Sequence, residues 1–173
     1  DMFHKDRATL SVLSTILGGG MSSRLFIEVR ERRGLAYAIR TGAELFLDAG
    51  YLSTYMGVEH ENLEKALKVV LDEYKKIATE LVGKDELKKA KESIKGRMAL
   101  GLEGSDDVVE YLVAQEVLQN QIVLPKDKVK AIDRVTAEDV LRVAKMIFTD
   151  KRLNIAVIGP DAKKTKLEKL LHF

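Results

Sequence analysis

The sequence predicts an α+β fold, with helices packed on one mainly antiparallel sheet, and three observations support it. Long segments repeat apolar residues at helical spacing, two neighbouring runs alternate about a short turn, and one continuous apolar run stands apart near the end.

The elements follow in order. Asp6 to Leu17 reads as a helix with Leu10, Leu13, Ile16 and Leu17 on one face, stopped by Gly18, Gly19 and Gly20. Ser22 or Ser23 can then cap a second helix whose buried face is Leu25, Phe26 and Val29. Arg32 and Arg33 suit the negative end of its dipole, and Gly34 can take the left-handed conformation just past it. Leu35 to Phe46 and Tyr51 to Val58 are extended runs joined at Asp48-Ala49-Gly50, an antiparallel hairpin. Leu52, Thr54, Met56 and Val58 alternate there with Tyr51, Ser53 and Tyr55.

Glu61 to Val82 carries Leu63, Ala66, Leu67, Val70, Leu71, Tyr74, Ile77, Ala78 and Leu81 in helical period. Asp85 to about Leu102 is a lysine-rich helix with Leu87, Ala90, Ile94 and Met98 inward. Ser105 is expected to cap Asp106 to Leu118, whose stripe is Val109, Leu112, Val113 and Val117, with Asn120 closing it. Pro125 starts a short helix into Ile132, and Thr136 with Asp139 forms a near capping box for a helix through Phe148. Leu153 to Ile158 reads as a strand ended by Gly159-Pro160, and a terminal helix from about Asp161 to Leu171 completes the chain.

Composition narrows the function classes. The 173 residues suit one domain, 46% of them are hydrophobic, and 32% are charged with a net of only +2. Mixed charge on helix faces argues against a nucleic-acid partner, and Lys163, Lys164 and Lys166 read as a solvated face. The absence of cysteine excludes disulfides and thiolate metal sites. No apolar run approaches the roughly 20 residues of a membrane span, and no signal-peptide pattern is present, so a cytoplasmic chain is expected.

The stretch GGGMSSRLFIEVRERRGLAY carries the chemistry. Arg30 and Tyr37 lie on either side of a sharp helix-to-strand corner, which can bring a guanidinium and a phenol to one place. This stretch, with FLDAGYLSTYMGV, KDELKKAKESIKGRMAL, RVTAEDVLRVAKMIF and LNIAVIGP in that order, resembles the C-terminal, non-zinc half-domain of the pitrilysin/insulysin-type zinc metallopeptidases, in the branch of the mitochondrial processing peptidases. The resemblance covers nearly the whole chain. It implies that Arg30 and Tyr37 contact a peptide substrate opposite the zinc, and that Gly34 supports the corner, where a side chain would obstruct it. Without the family motif, Arg30 reads as a helix-end cation paired with Glu28 or Glu31, and Tyr37 as a half-buried strand aromatic.

The family's inverted H-x-x-E-H zinc motif is absent, and the three histidines, His4, His60 and His172, are far apart. His60 and Glu64 lie one helical turn apart, but a zinc hydrolase usually needs three protein ligands and an open position. The expectation is therefore no metal here, with zinc on a partner half-domain in cis or on a second subunit. The resemblance also implies a strand preceding the helix at Asp6 that this chain lacks; an open sheet edge then invites a homodimer or another partner strand. Related non-peptidase assembly subunits give the alternative reading, a structural role.

Overall fold

The computed structural model describes residues 1–159 and 167–173. The lysines at 163, 164 and 166 and most of the expected terminal helix lie outside the described residues, while Leu167 and Glu168 are helical. The architecture is helices packed against a two-stranded antiparallel sheet.

Helix α1 (Arg7–Gly18) buries Val12, Leu13, Ile16 and Leu17 at the spacing the sequence shows. Its last residue touches the sheet: a Cβ on Gly18 would collide with the backbone nitrogen of Thr41. Only a hydrogen side chain permits that approach. The glycine turn is held from outside by Arg97, which donates from Nη1 to the Gly19 carbonyl at 2.7 Å and from Nη2 to Thr15 Oγ1 at 3.2 Å.

Strands β1 (Ala36–Leu45) and β2 (Gly50–Val58) pair with Thr41 opposite Thr54 and Arg40 opposite Tyr55. Beneath them a hydroxyl chain runs from Thr41 Oγ1 to Thr54 Oγ1 at 2.7 Å and on to Tyr74 Oη at 2.5 Å. Burial pushes the Tyr74 phenol up to about 12, against a smaller opposing effect of its bond to Thr54. The Tyr74 ring stacks on Phe148 with centroids 4.2 Å apart, tying the sheet to both helices behind it.

Those helices are α2 (Leu63–Thr79) and α6 (Ala137–Ile147). Helix α2 is shorter than the periodicity suggests: residues His60–Asn62 form a 3-10 turn, Glu80 turns extended, and Leu81 points to solvent. The capping box of α6 is complete, with the Asp139 amide donating to Thr136 Oγ1 and the Thr136 amide donating to the Asp139 carboxylate. Two bidentate pairs fasten distant elements. Arg142 donates to both oxygens of Asp6 at 3.0 and 2.7 Å, and Arg24 to both of Glu86 at 2.7 Å. The Arg142 hydrogen bonds hold the Asp6 carboxyl below the usual carboxylate range, against the opposing effect of burial.

Helix α3 (Lys84–Leu100) buries Ala90 and half-buries Leu87, Ile94 and Met98. Helix α4 (Ser105–Gln119) corrects an expectation. Ser105 makes no side-chain cap, and Val109, Val113 and Val117 are exposed rather than buried. The helix leans on its opposite face, where Gln115 is buried, donates to the Tyr111 carbonyl and accepts from the Val123 amide. Helical period locates the apolar stripe but does not supply a surface to cover it. Asn120 closes α4 in the left-handed conformation, as the sequence suggests, and α5 (Pro125–Arg134) starts at its proline.

The second correction concerns residues 153–158. They pair with no strand among the described residues, although Leu153, Ile155 and Val157 are half-buried and alternate with exposed Asn154, Ala156 and Ile158. The period of two is present without a neighbouring ladder. Between this segment and β2 lies an open cleft of about 1440 Å³, floored by Leu67, Val70, Leu71, Tyr74 and Val143.

Candidate functional site

The segment after the glycine turn is helical, but its hydrogen bonding differs from expectation. Residues Phe26–Glu31 form a π-helix, in which the Arg32 amide donates to the Ile27 carbonyl at 2.9 Å. The turn is wider than that of an α-helix, a feature that occurs frequently at functional sites. Leu25 and Val29 are fully buried and Phe26 nearly so, so the expected inward face survives the change of period.

Glu28 gathers the two cations of the last turn. It accepts from Arg32 Nη1 at 2.6 Å and from Arg33 Nη1 at 2.5 Å, and the Arg33 hydrogen bond foremost holds its carboxyl below the usual range. Arg30 is thereby left without an anionic partner among the described residues. Its guanidinium carbon sits 4.9 Å above the centre of the Phe26 ring, a cation–π contact in place of the pairing with Glu28 or Glu31. Its N–H donors remain available.

The chain then turns at Gly34, whose φ is +59°. The Gly34 amide donates to the Arg30 carbonyl at 3.0 Å and the Leu35 amide to the Val29 carbonyl at 2.9 Å, which locks the corner. Nothing lies within 4 Å of a Cβ built on Gly34, so the glycine is required by its left-handed backbone and not by crowding. Three residues later, Tyr37 falls at an irregularity of register between Ala36 and Ala38. Such a bulge re-aims a side chain. The Tyr37 ring lies across Gly57, where a Cβ would collide with it, yet Tyr37 is 71% exposed rather than half-buried.

Arg30 and Tyr37 therefore stand exposed on the two sides of the Gly34 corner, and no hydrogen bond or ring contact joins them. Tyr37 also borders the cleft along β2, whereas Arg30 does not. Sequence reasoning missed the residues beside them. The outer face of the hairpin carries Arg40 across from Tyr55, with the guanidinium 5.2 Å from the ring centre, and Glu44 across from Tyr51. The alternation of Tyr51, Ser53 and Tyr55 was the signal that could have found them.

Among the described residues no three His, Cys, Asp or Glu side chains come together as a metal-binding group. His60 instead packs its ring against Gly159. Among the described residues, no helix is long and apolar enough to cross a membrane.

Comparison with known proteins decides the family. Residues 2–94 match the model of the peptidase M16 inactive domain. The chain belongs to that family. It is 38% identical to an uncharacterized zinc protease of Mycobacterium tuberculosis over 165 residues, which are 95% of this chain and 37% of the relative. The crystal structure of a peptidase M16 inactive domain from Pseudomonas fluorescens superposes with a TM-score of 0.76 at 28% identity, over 89% of this chain and 36% of that one. A chain of complex III2 from Candida albicans shares the fold, with a TM-score of 0.75 at 17% identity, over 84% of this chain and 37% of that one. This chain thus spans a little over a third of the proteins it resembles.

Proposed function

We propose that this chain is the substrate-binding, non-zinc half of a zinc metalloendopeptidase acting on extended peptides. The observation that carries the reading is the Gly34 corner. On a chain of the inactive-domain family, it presents two side chains whose N–H and O–H donors make no hydrogen bond among the described residues. Arg30 offers a rigid fork of N–H donors and Tyr37 a hydroxyl, suited to hold a peptide carbonyl oxygen and the negative charge that develops on it. Zinc belongs on the opposing half-domain, in cis or on a second subunit, where it supplies a Lewis acid and an activated water. The residues of this chain orient the peptide and stabilise the oxyanion.

The cleft beside β2 supports a related reading of domain organisation. A nine-residue strand such as β2 takes up on the order of 1,400 Å³, from ~3.3 Å rise, ~4.8 Å spacing and ~10 Å sheet thickness. The cleft has that size, an apolar floor, and an extended segment on each side. It suits one further strand of a longer polypeptide, and when it is empty the β2 edge is where a second copy would pair.

The test combines this chain with the zinc-bearing half and follows cleavage of a quenched peptide. Cleavage that requires both halves and is lost with a chelator supports the proposal. Equal cleavage by the zinc half alone refutes it, and chelator-sensitive cleavage by this chain alone refutes the assignment of zinc to the partner.

A further inference from the structure

The outer face of the β1–β2 hairpin has a shape that the family assignment does not describe. At one end the Tyr37 ring covers Gly57, and next to it Arg40 rests over Tyr55. At the other end Tyr51 packs against Phe46, with ring centres 6.1 Å apart, opposite Glu44. Between these two aromatic posts the paired residues are Gly42 and Ser53. A Cβ built on Gly42 meets nothing within 4 Å. The middle of the face is therefore a notch floored by a glycine and a serine, and walled by aromatic rings.

Tyr51 and Tyr55 are each 54% exposed, and Phe46 is 51% exposed. Exposed aromatic rings clustered with an arginine mark a contact surface more than a solvated sheet face, because they bury much area for little conformational entropy. From Tyr51 to Tyr55 the strand advances about 13 Å at ~3.3 Å per residue, room for one large side chain between the posts. Arg40 makes no ion pair among the described residues, so it can also hold a carbonyl of the same peptide. The face is continuous with Tyr37.

We propose that the Gly42–Ser53 notch is a side-chain subsite of the peptidase, taking a bulky apolar or aromatic residue of an extended peptide substrate. This rests on the reading of Arg30 and Tyr37 as substrate contacts. The tyrosines supply the apolar walls and Arg40 fixes the peptide backbone above them. The substrate class follows: extended segments with a large apolar side chain, the kind exposed when a protein is unfolded.

The experiment uses the intact peptidase, with both halves present, and two matched peptides that differ only in a leucine or an alanine at one scanned position. Gly42→Val fills the notch from β1, and Ser53→Leu fills it from β2. Gly42 has neither a positive φ nor a crowded Cβ to resist the change, and Ser53 has no positive φ. The expected result is that the ratio of kcat/KM for the leucine peptide over the alanine peptide falls about tenfold in both variants, the scale of discrimination in an apolar pocket. An unchanged ratio, or an equal loss on both peptides, overturns the subsite. Arg30→Ala and Tyr37→Phe are measured alongside: if neither lowers cleavage of any peptide, the underlying reading fails, whatever the ratio shows.

Discussion

The two faces of the β1–β2 hairpin are built from adjacent residues and have different surroundings. Ile39 and Thr41 point inward, onto α1, Thr54 and Tyr74, and are buried. Tyr37, Arg40, Tyr51 and Tyr55 point outward and are largely exposed. A strand alternates its side chains, so one step along the chain separates a residue that holds the fold from one that the fold leaves open. The inner face has almost no tolerance: Gly18 already touches Thr41, and the hydroxyls there are paired. Among the described residues, the outer face has donors without hydrogen-bond partners and open space. Substitutions inside should therefore lower stability, and substitutions outside should lower cleavage while leaving stability alone.

The largest stability effect is expected where the core is fully closed. Leu25→Ala removes a side chain with no exposed area and should cost about 2–5 kcal/mol in urea denaturation. A loss under about 1 kcal/mol would mean that the π-helix is not anchored as described. Gly18→Val forces a side chain into Thr41 and should cost about 1–3 kcal/mol by overpacking, read as a lower unfolding midpoint. If this variant is as stable as the parent, α1 does not lie against β1 at that point.

Smaller effects probe the inner polar network. Tyr74→Phe removes one of the two hydroxyl partners of Thr54, leaving Thr41, and should cost about 1 kcal/mol. Tyr74 also gives a pH signature. Its folded value is raised from 10.0 to about 12, so its contribution to stability is full below pH 10 and is lost as the pH rises toward 12. In Tyr74→Phe that part of the alkaline decline should disappear, and an identical alkaline limb would contradict the burial argument. Asp6 behaves in the opposite sense. Its folded value lies below the ordinary aspartate value of 3.8, so its contribution is present above that pH and fades as the pH falls through the lowered value. Asp6→Asn should destabilise the chain by about 1–2 kcal/mol at neutral pH and flatten the acid limb, measured by thermal melts across pH.

Local chemistry made much of this legible in the sequence. Helix α1 ends within the glycine run, one residue later than expected, Gly34 takes the left-handed turn, and Thr136 with Asp139 forms its box, because each signal is satisfied within a few residues. The hairpin appears within a residue or so of its expected ends for the same reason. Features that depend on distant partners were not legible. Helical period could not reveal that the Arg32 amide reaches Ile27, nor that Glu28 prefers Arg32 and Arg33 to Arg30. The Val109, Val113 and Val117 stripe was visible, but burial needs an opposing surface, and residues 153–158 need a neighbouring strand before their alternation becomes a ladder. In the candidate site, the resemblance to the family points to Arg30 and Tyr37 and local helix-end chemistry to Gly34, while Arg40 and Tyr55 emerge only when pairing places them side by side.

The most direct test is the cleavage rate of the assembled peptidase carrying Tyr37→Phe, set against its melting temperature. Tyr37 lies on the open face, so the melting temperature should stay where it is while kcat/KM falls about 100-fold or more, as for the loss of one oxyanion donor. A variant that cleaves as fast as the parent, or one that loses activity only in step with its stability, would contradict the assignment of this corner to the substrate.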